Sequence, residues 1–82
     1  MNQNFFVYIL KSLKDPAKSY IGFTRNINRR IEEHNSGTQT YSKRYAPWKI
    51  ETYVVFSDIR KALAFEKYLK AGSGKAFVNN HF

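Results

Sequence analysis

Two short apolar runs, Phe5-Phe6-Val7-Tyr8-Ile9-Leu10 and Ser19-Tyr20-Ile21-Gly22-Phe23-Thr24, constrain this chain more than any other feature. Each carries a tyrosine, and the second sets a glycine two residues after its tyrosine. Both interleaved sets of the first run, Phe5/Val7/Ile9 and Phe6/Tyr8/Leu10, are largely apolar, which predicts an interior strand covered on both faces. The intervening segment contains Asp15-Pro16, a turn signal, and is too long for a two-residue hairpin. Antiparallel pairing with Tyr8 opposite Tyr20 projects both phenols from one face, and a slip of one residue would separate them. Hydroxyls that need partners, beside a glycine that lets another backbone approach, mark a surface prepared for a guest.

Thr24 is the expected N-cap of a helix running to about Asn35, stopped at Ser36-Gly37. Its apolar content is only Ile27 and Ile31. With Ile27 at 0°, Ile31, Arg30 and His34 fall at about 40°, 300° and 340°, and Arg29 at about 200°. Arg30 and His34 are therefore expected on the buried stripe and Arg29 in water. Residues 37–47 are polar and turn-rich, with Tyr41, Lys43, Arg44 and Tyr45 interleaved. They predict a surface loop, either touching a phosphate backbone or solvated with its tyrosines packed locally.

Trp48 to Phe56 alternates and then turns continuously apolar, predicting a third strand with a deeply buried end. Ser57-Asp58 caps a second helix of about Ile59 to Ala71, ended by Gly72. Ile59, Ala62, Leu63 and Leu69 share its apolar stripe, and Glu66 falls in the middle of that stripe. Gly72-Ser73-Gly74-Lys75 is not a phosphate loop, because Leu69 stands where the motif needs its first glycine and Ala76 where it needs Ser or Thr. Ser73 is expected instead to cap a short terminal helix containing Phe77 and Val78. The expected architecture is α+β, a small three-stranded antiparallel sheet flanked by helices in the order β-β-α-β-α-α, with 1–82 as a single domain.

Charge narrows the function. Fourteen Lys and Arg against six Asp and Glu give a formal net charge of +8, spread along the chain rather than gathered in a tail. Such a field favours polyanions, and aromatic residues at 17% add stacking surfaces. The absence of cysteine excludes a disulfide framework, and His34 with His81 cannot form a zinc site alone. No signal-peptide pattern opens the chain, and no apolar stretch approaches the ~18–20 residues of a membrane span. The expectation is a soluble cytoplasmic domain with no membrane contact, nucleoid-associated when bound to DNA.

Two helices thus direct charge inward, Arg30 with His34 on one and Glu66 on the other. An unpaired buried charge costs several kcal/mol, a large share of the ~5–15 kcal/mol that stabilises a domain. These groups must be paired, metal-bound or at the rim of a solvated cleft. An Arg30–Glu66 ion pair, or Glu66–Lys70 across one helical turn, is the purely structural alternative.

Val7-Tyr8-Ile9 and Tyr20-Ile21-Gly22 resemble the two tripeptides that name the GIY-YIG nuclease family. The likeness continues through Phe23-Thr24-Arg25-Asn26-Ile27-Asn28-Arg29-Arg30, where Arg30 matches the family's arginine. His34 follows one turn later, and Glu66 in Phe65-Glu66-Lys67-Tyr68 matches the metal-binding glutamate. Pro47-Trp48 is similar to the compact bacterial branch and to the nuclease domain of SLX-type structure-selective endonucleases. Val7 stands in place of the first glycine, and Asn79 or Asn80 in the region of a late asparagine.

The resemblance implies a metal-dependent DNA endonuclease of repair or recombination, or else a DNA-binding module of the same fold with weak or no turnover. It implies Arg30 on the non-bridging oxygens, Mg²⁺ (or Mn²⁺) held by Glu66, and Tyr8 as acceptor of the attacking water's proton. Tyr20 would orient water or phosphate, Gly22 would make room for the scissile strand, and Arg25, Lys43 and Arg44 would contact the substrate. His34 is either a hydrogen-bonded, half-buried side chain or a proton carrier. The expected partners are DNA and a protein that supplies targeting, with the chain a monomer or weak dimer.

Overall fold

A computed structural model describes residues 4–36 and 40–71. Its elements are β1 (Phe5–Ser12), β2 (Ser19–Thr24), α1 (Ile27–Ser36), α2 (Thr40–Tyr45), β3 (Trp48–Phe56) and α3 (Ile59–Lys70). All three strands pair antiparallel in the order β2-β1-β3. The doubly apolar run is the central strand, as expected, with Phe5, Val7, Ile9, Tyr8 and Leu10 all buried.

The two sides of β1 organise two small cores. Phe5, Val7 and Ile9 face Ala62 and Leu69 of α3, with Ile21, Phe23, Phe56, Ile59 and Phe65 around them. Tyr8 and Leu10 face the other way and pack with Trp48 against Tyr20, Ile27, Ile31, Tyr45 and Ile50. The β1–β3 register shifts between Ile9↔Thr52 and Leu10↔Ile50, so Glu51 is the extra residue of a bulge. Without that shift the period of the strand would turn Lys49 and Glu51, rather than Trp48 and Ile50, toward the second core.

Several expectations need correction. In the β1–β2 register Tyr8 faces Gly22 and Tyr20 faces Leu10, two residues from the predicted pairing. An even offset preserves the face, so both tyrosines still share one side of the sheet. The cap of α1 is Asn26, whose side-chain oxygen accepts from Arg29 N–H at 3.1 Å. Thr24 instead closes the turn before it, accepting from Asn26 N–H at 3.1 Å. The predicted surface loop contains α2, so the described order is β-β-α-α-β-α. Its short helix is held by tertiary contacts that local composition does not report. The end of β3 is not deeply buried, because β3 is an edge strand: Tyr53 is 49% and Val55 46% exposed. Leu63, at the margin of the α3 stripe, is exposed as well. The predicted terminal helix, with Ser73, Phe77 and Val78, lies outside the described residues, as do Gly37, Gly72, Asn79, Asn80 and His81.

The 12–18 connection is built on Ser12 and Asp15. The buried Ser12 hydroxyl donates to the Tyr45 carbonyl at 2.5 Å and accepts from the Lys14 and Asp15 N–H groups at 3.1 and 3.0 Å. Asp15 accepts from Ala17 N–H through its carboxylate and from Lys18 N–H through its carbonyl. One hydroxyl therefore ties the hairpin connection to α2.

Candidate active site

Tyr8 is the centre of the site because β1 is the middle strand and turns this residue toward α1. Its ring stacks near Tyr20, with centroids 6.3 Å apart, and its hydroxyl lies 3.1 Å from His34 Nε2. Gly22, directly across the ladder, is what lets the phenol lie there. A Cβ on Gly22 would overlap the phenolic oxygen and Cζ of Tyr8. The space expected to admit a scissile strand is thus occupied by a side chain of the protein itself.

His34 is buried, as its place on the helical wheel predicted, and its ring is 4.5 Å from that of Tyr20. Burial first, then the Arg30 charge, holds its pKa below the ordinary 6.5. The imidazole is therefore neutral at neutral pH, with one nitrogen able to accept. Burial above all, followed by the charge of Tyr20, pushes the Tyr8 phenol above its ordinary 10.0; Arg30 opposes this, and Glu66 and Glu33 add to it. A protonated phenol beside a neutral imidazole gives a donor–acceptor pair in which Tyr8 donates to His34.

Arg30 is half-buried, and its Nε is a buried donor with no hydrogen-bond partner among the described residues. One end nitrogen lies 3.6 Å from Glu33, the next turn's carboxylate, rather than pairing with Glu66. Leaving such a donor unmet is costly, and cationic donors most of all. Arg30 also lines an open groove of about 320 Å³ with Thr24, Arg25, Asn26, Arg29 and Glu33 at the start of α1. Arg29 is exposed as predicted, yet it contributes to this groove and lies 3.9 Å from Glu33. Glu33 is not among the residues that the sequence singles out for the site. Its position three residues after Arg30 was the available signal.

Glu66 lies on α3, with its side chain 20% exposed and paired to Lys70 at 3.2 Å across one turn. Its charge is one of the lesser influences that raise the Tyr8 phenol. Among the described residues no three His, Cys, Asp or Glu side chains gather as a ready metal cage. A part-exposed carboxylate whose partner among the described residues is a surface lysine still suits a hard divalent cation that keeps most of its water. Lys43 and Arg44 lie on α2, and Arg25 spreads its guanidinium 5.4 Å above the Phe5 ring.

Residues 4–80 match the family model described as GIY-YIG catalytic domain. The chain is 35% identical over 78 residues to a structure-specific endonuclease subunit SLX1 homolog of Giardia intestinalis, covering 90% of this chain and 22% of that protein. It is 33% identical to a UPF0213 protein of Bacillus licheniformis, covering 92% of this chain and 77% of that one. The solution NMR structure of a UPF0213 protein from Bacillus halodurans superposes with a TM-score of 0.57 at 29% identity, over 94% of this chain and 83% of its own. The chain thus spans about a fifth of the SLX1 relative and most of the bacterial ones.

Proposed function

This chain belongs to the GIY-YIG family of nuclease catalytic domains, and on that premise we propose that it is a metal-dependent endonuclease that hydrolyses DNA phosphodiester bonds. The observation that carries the proposal is the convergence of the Tyr8–His34 hydrogen bond with Arg30, whose buried Nε lacks a partner among the described residues. A forked, permanent cation with an unmet donor suits the non-bridging oxygens of a phosphate, where negative charge grows as water attacks. The SLX1-named relatives are described as subunits of a structure-specific endonuclease. That description supports a repair or recombination role for this chain, with branched DNA as substrate and a protein partner for targeting.

The protein's own groups supply a route for the proton. Water attacking phosphorus loses a proton to the Tyr8 oxygen as Tyr8 passes its own proton to His34 Nε2. The phenol then needs no prior ionisation, which its raised pKa would oppose. The neutral state of His34 keeps the acceptor open. Tyr20, stacked on the Tyr8 ring and tilted against that of His34, limits their movement and orients water or phosphate. Arg25, Lys43 and Arg44 contribute positive charge to the substrate path. Glu66 would hold Mg²⁺ or Mn²⁺, and a cation bound there supplies charge to stabilise the leaving oxygen. Acting on DNA, the protein would work in the cytoplasm.

Cleavage of labelled duplex, single-stranded, flap and four-way-junction DNA with Mg²⁺ or Mn²⁺ tests this reading, comparing the unmodified chain with Glu66→Ala and Arg30→Ala. Cutting by the unmodified chain alone supports it. Binding by all three without cutting would replace it with the reading of a DNA-binding module that has lost turnover.

A further inference from the structure

We infer that Lys14, Lys18 and Arg44, gathered around Tyr45, form a second contact for the DNA backbone beside the cleavage site; this rests on the DNA-cleaving function proposed above. Lys18 Nζ lies 5.5 Å and the Arg44 guanidinium 5.4 Å from the centre of the Tyr45 ring. The Lys14 ammonium donates to the Arg44 carbonyl at 3.4 Å. Three cations thus converge from two separate elements, the hairpin connection and α2. All three residues are exposed, and none joins an ion pair among the described residues, whose pairs use Arg29, Arg30, Arg60 and Lys70. Like charges brought together repel one another, and an anion would relieve that repulsion.

Position distinguishes this cluster from charge scattered over the surface. Tyr45 packs against the core of Tyr8, Leu10 and Trp48 that also carries Tyr20, so the cations sit on the face of the sheet that bears the site. Lys18 extends the β1–β2 pairing, its carbonyl accepting from Ser12 N–H at 3.0 Å. It therefore precedes Tyr20 by two strand residues, about 7 Å. That equals the axial rise of about two nucleotides of one B-DNA strand. A strand whose scissile phosphate meets Arg30 would bring neighbouring phosphates to this cluster. The ring also holds the cations without consuming their charge, since attraction to an aromatic face leaves their outer hydrogens open to phosphate. The Ser12 hydroxyl bond to the Tyr45 carbonyl fixes this cation-bearing ring relative to β1.

The test is fluorescence anisotropy with a labelled duplex from 50 to 200 mM salt, without divalent metal. The Lys14→Gln/Lys18→Gln/Arg44→Gln variant is compared with the unmodified chain and with a Lys49→Gln/Arg60→Gln/Lys61→Gln control that removes equal charge elsewhere. Each lost phosphate contact flattens the slope of log affinity against log salt by about 0.9. The expected result is a slope flatter by about two to three and at least tenfold weaker binding at the lowest salt, with the control changing far less. Circular dichroism melts of both variants confirm that each is folded. Equal losses in the two variants would mean net charge alone, and no loss in the first would mean solvated lysines; either overturns the inference while leaving the cleavage reading intact. If the unmodified chain binds no DNA at low salt, both fall together.

Discussion

The Tyr8 hydroxyl meets His34 Nε2 at 3.1 Å across 26 residues of sequence, between the central strand and the first helix. Neither residue lies there by its own preference. Gly22 yields the space for the phenol, and α1 turns the imidazole inward with Ile27 and Ile31. The packing of the second core therefore holds this hydrogen-bonded pair, so variants that change the pair can be read in stability as well as in activity.

Removing the Tyr8 hydroxyl isolates the chemistry. Tyr8→Phe keeps the ring that fills the core and is expected to slow cleavage by about 10²–10⁴-fold, the range of a lost general base. DNA affinity should be unchanged within about twofold. A variant that cuts at the unmodified rate would remove Tyr8 from the reaction.

Stability should depend on pH at two separate windows. His34 has a folded pKa below its ordinary 6.5, so the unfolded chain binds more protons and stability falls as pH drops through about 6.5 toward the folded value. Tyr8 has a folded pKa above its ordinary 10.0, so the folded chain holds its proton longer and stability falls as pH rises past about 10. Asp58, held below 3.8 chiefly by the Arg60 backbone N–H it caps, acts only in a more acidic range. Urea midpoints measured across pH should show both outer limbs. His34→Gln should flatten the limb near pH 6 and Tyr8→Phe the alkaline one.

Gly22→Ala should be costly although it adds one methyl group. The new Cβ meets the Tyr8 oxygen and Cζ, and the ring cannot retreat without leaving His34. Overpacking of this kind costs about 1–3 kcal/mol. A double-mutant cycle between Gly22→Ala and Tyr8→Leu should give a coupling above about 0.5 kcal/mol. Additive effects would show that the two residues do not share this space.

Asn35 clasps the helix that carries His34. Its side-chain oxygen accepts from Trp48 N–H at 2.6 Å, and its amide donates to the Trp48 carbonyl at 3.2 Å. Asn35→Ala should lose about 1–3 kcal/mol, because a partly buried backbone pair is left unmet. Asn35→Asp should retain the first bond and lose the second. Equal stability of all three chains in urea would refute the clasp.

Glu66→Gln separates metal binding from folding. The Lys70 pair it weakens is part-exposed, and such pairs contribute about 0–1 kcal/mol. The melt should therefore barely move, while Mn²⁺ binding measured by water-proton relaxation should be lost together with cleavage. Retained Mn²⁺ affinity would place the cation on other residues.

Much of this was legible because local patterns carry it. A run apolar on both faces can satisfy itself only in the middle of a covered sheet, and β1 is central. Helical periodicity separated buried His34 from exposed Arg29, two residues of similar polarity. The wheel also placed Glu66 on a largely covered face, and its Lys70 partner was one of the alternatives foreseen. Patterns of this kind work because they depend on angles and rises that every helix and strand shares.

What the sequence determined by itself was which residues face inward and which side of the sheet each tyrosine takes, since a period survives any even shift of register. The tertiary structure decided the pairings. It chose Gly22 rather than Tyr20 opposite Tyr8, Glu33 rather than Glu66 beside Arg30, and a bulge at Glu51 that turns Trp48 inward. It also made residues 40–45 helical, through partners such as Ser12 that lie far away in the chain. These choices turn on clashes and hydrogen bonds between distant segments, and such terms act only once the strands and helices are packed against one another.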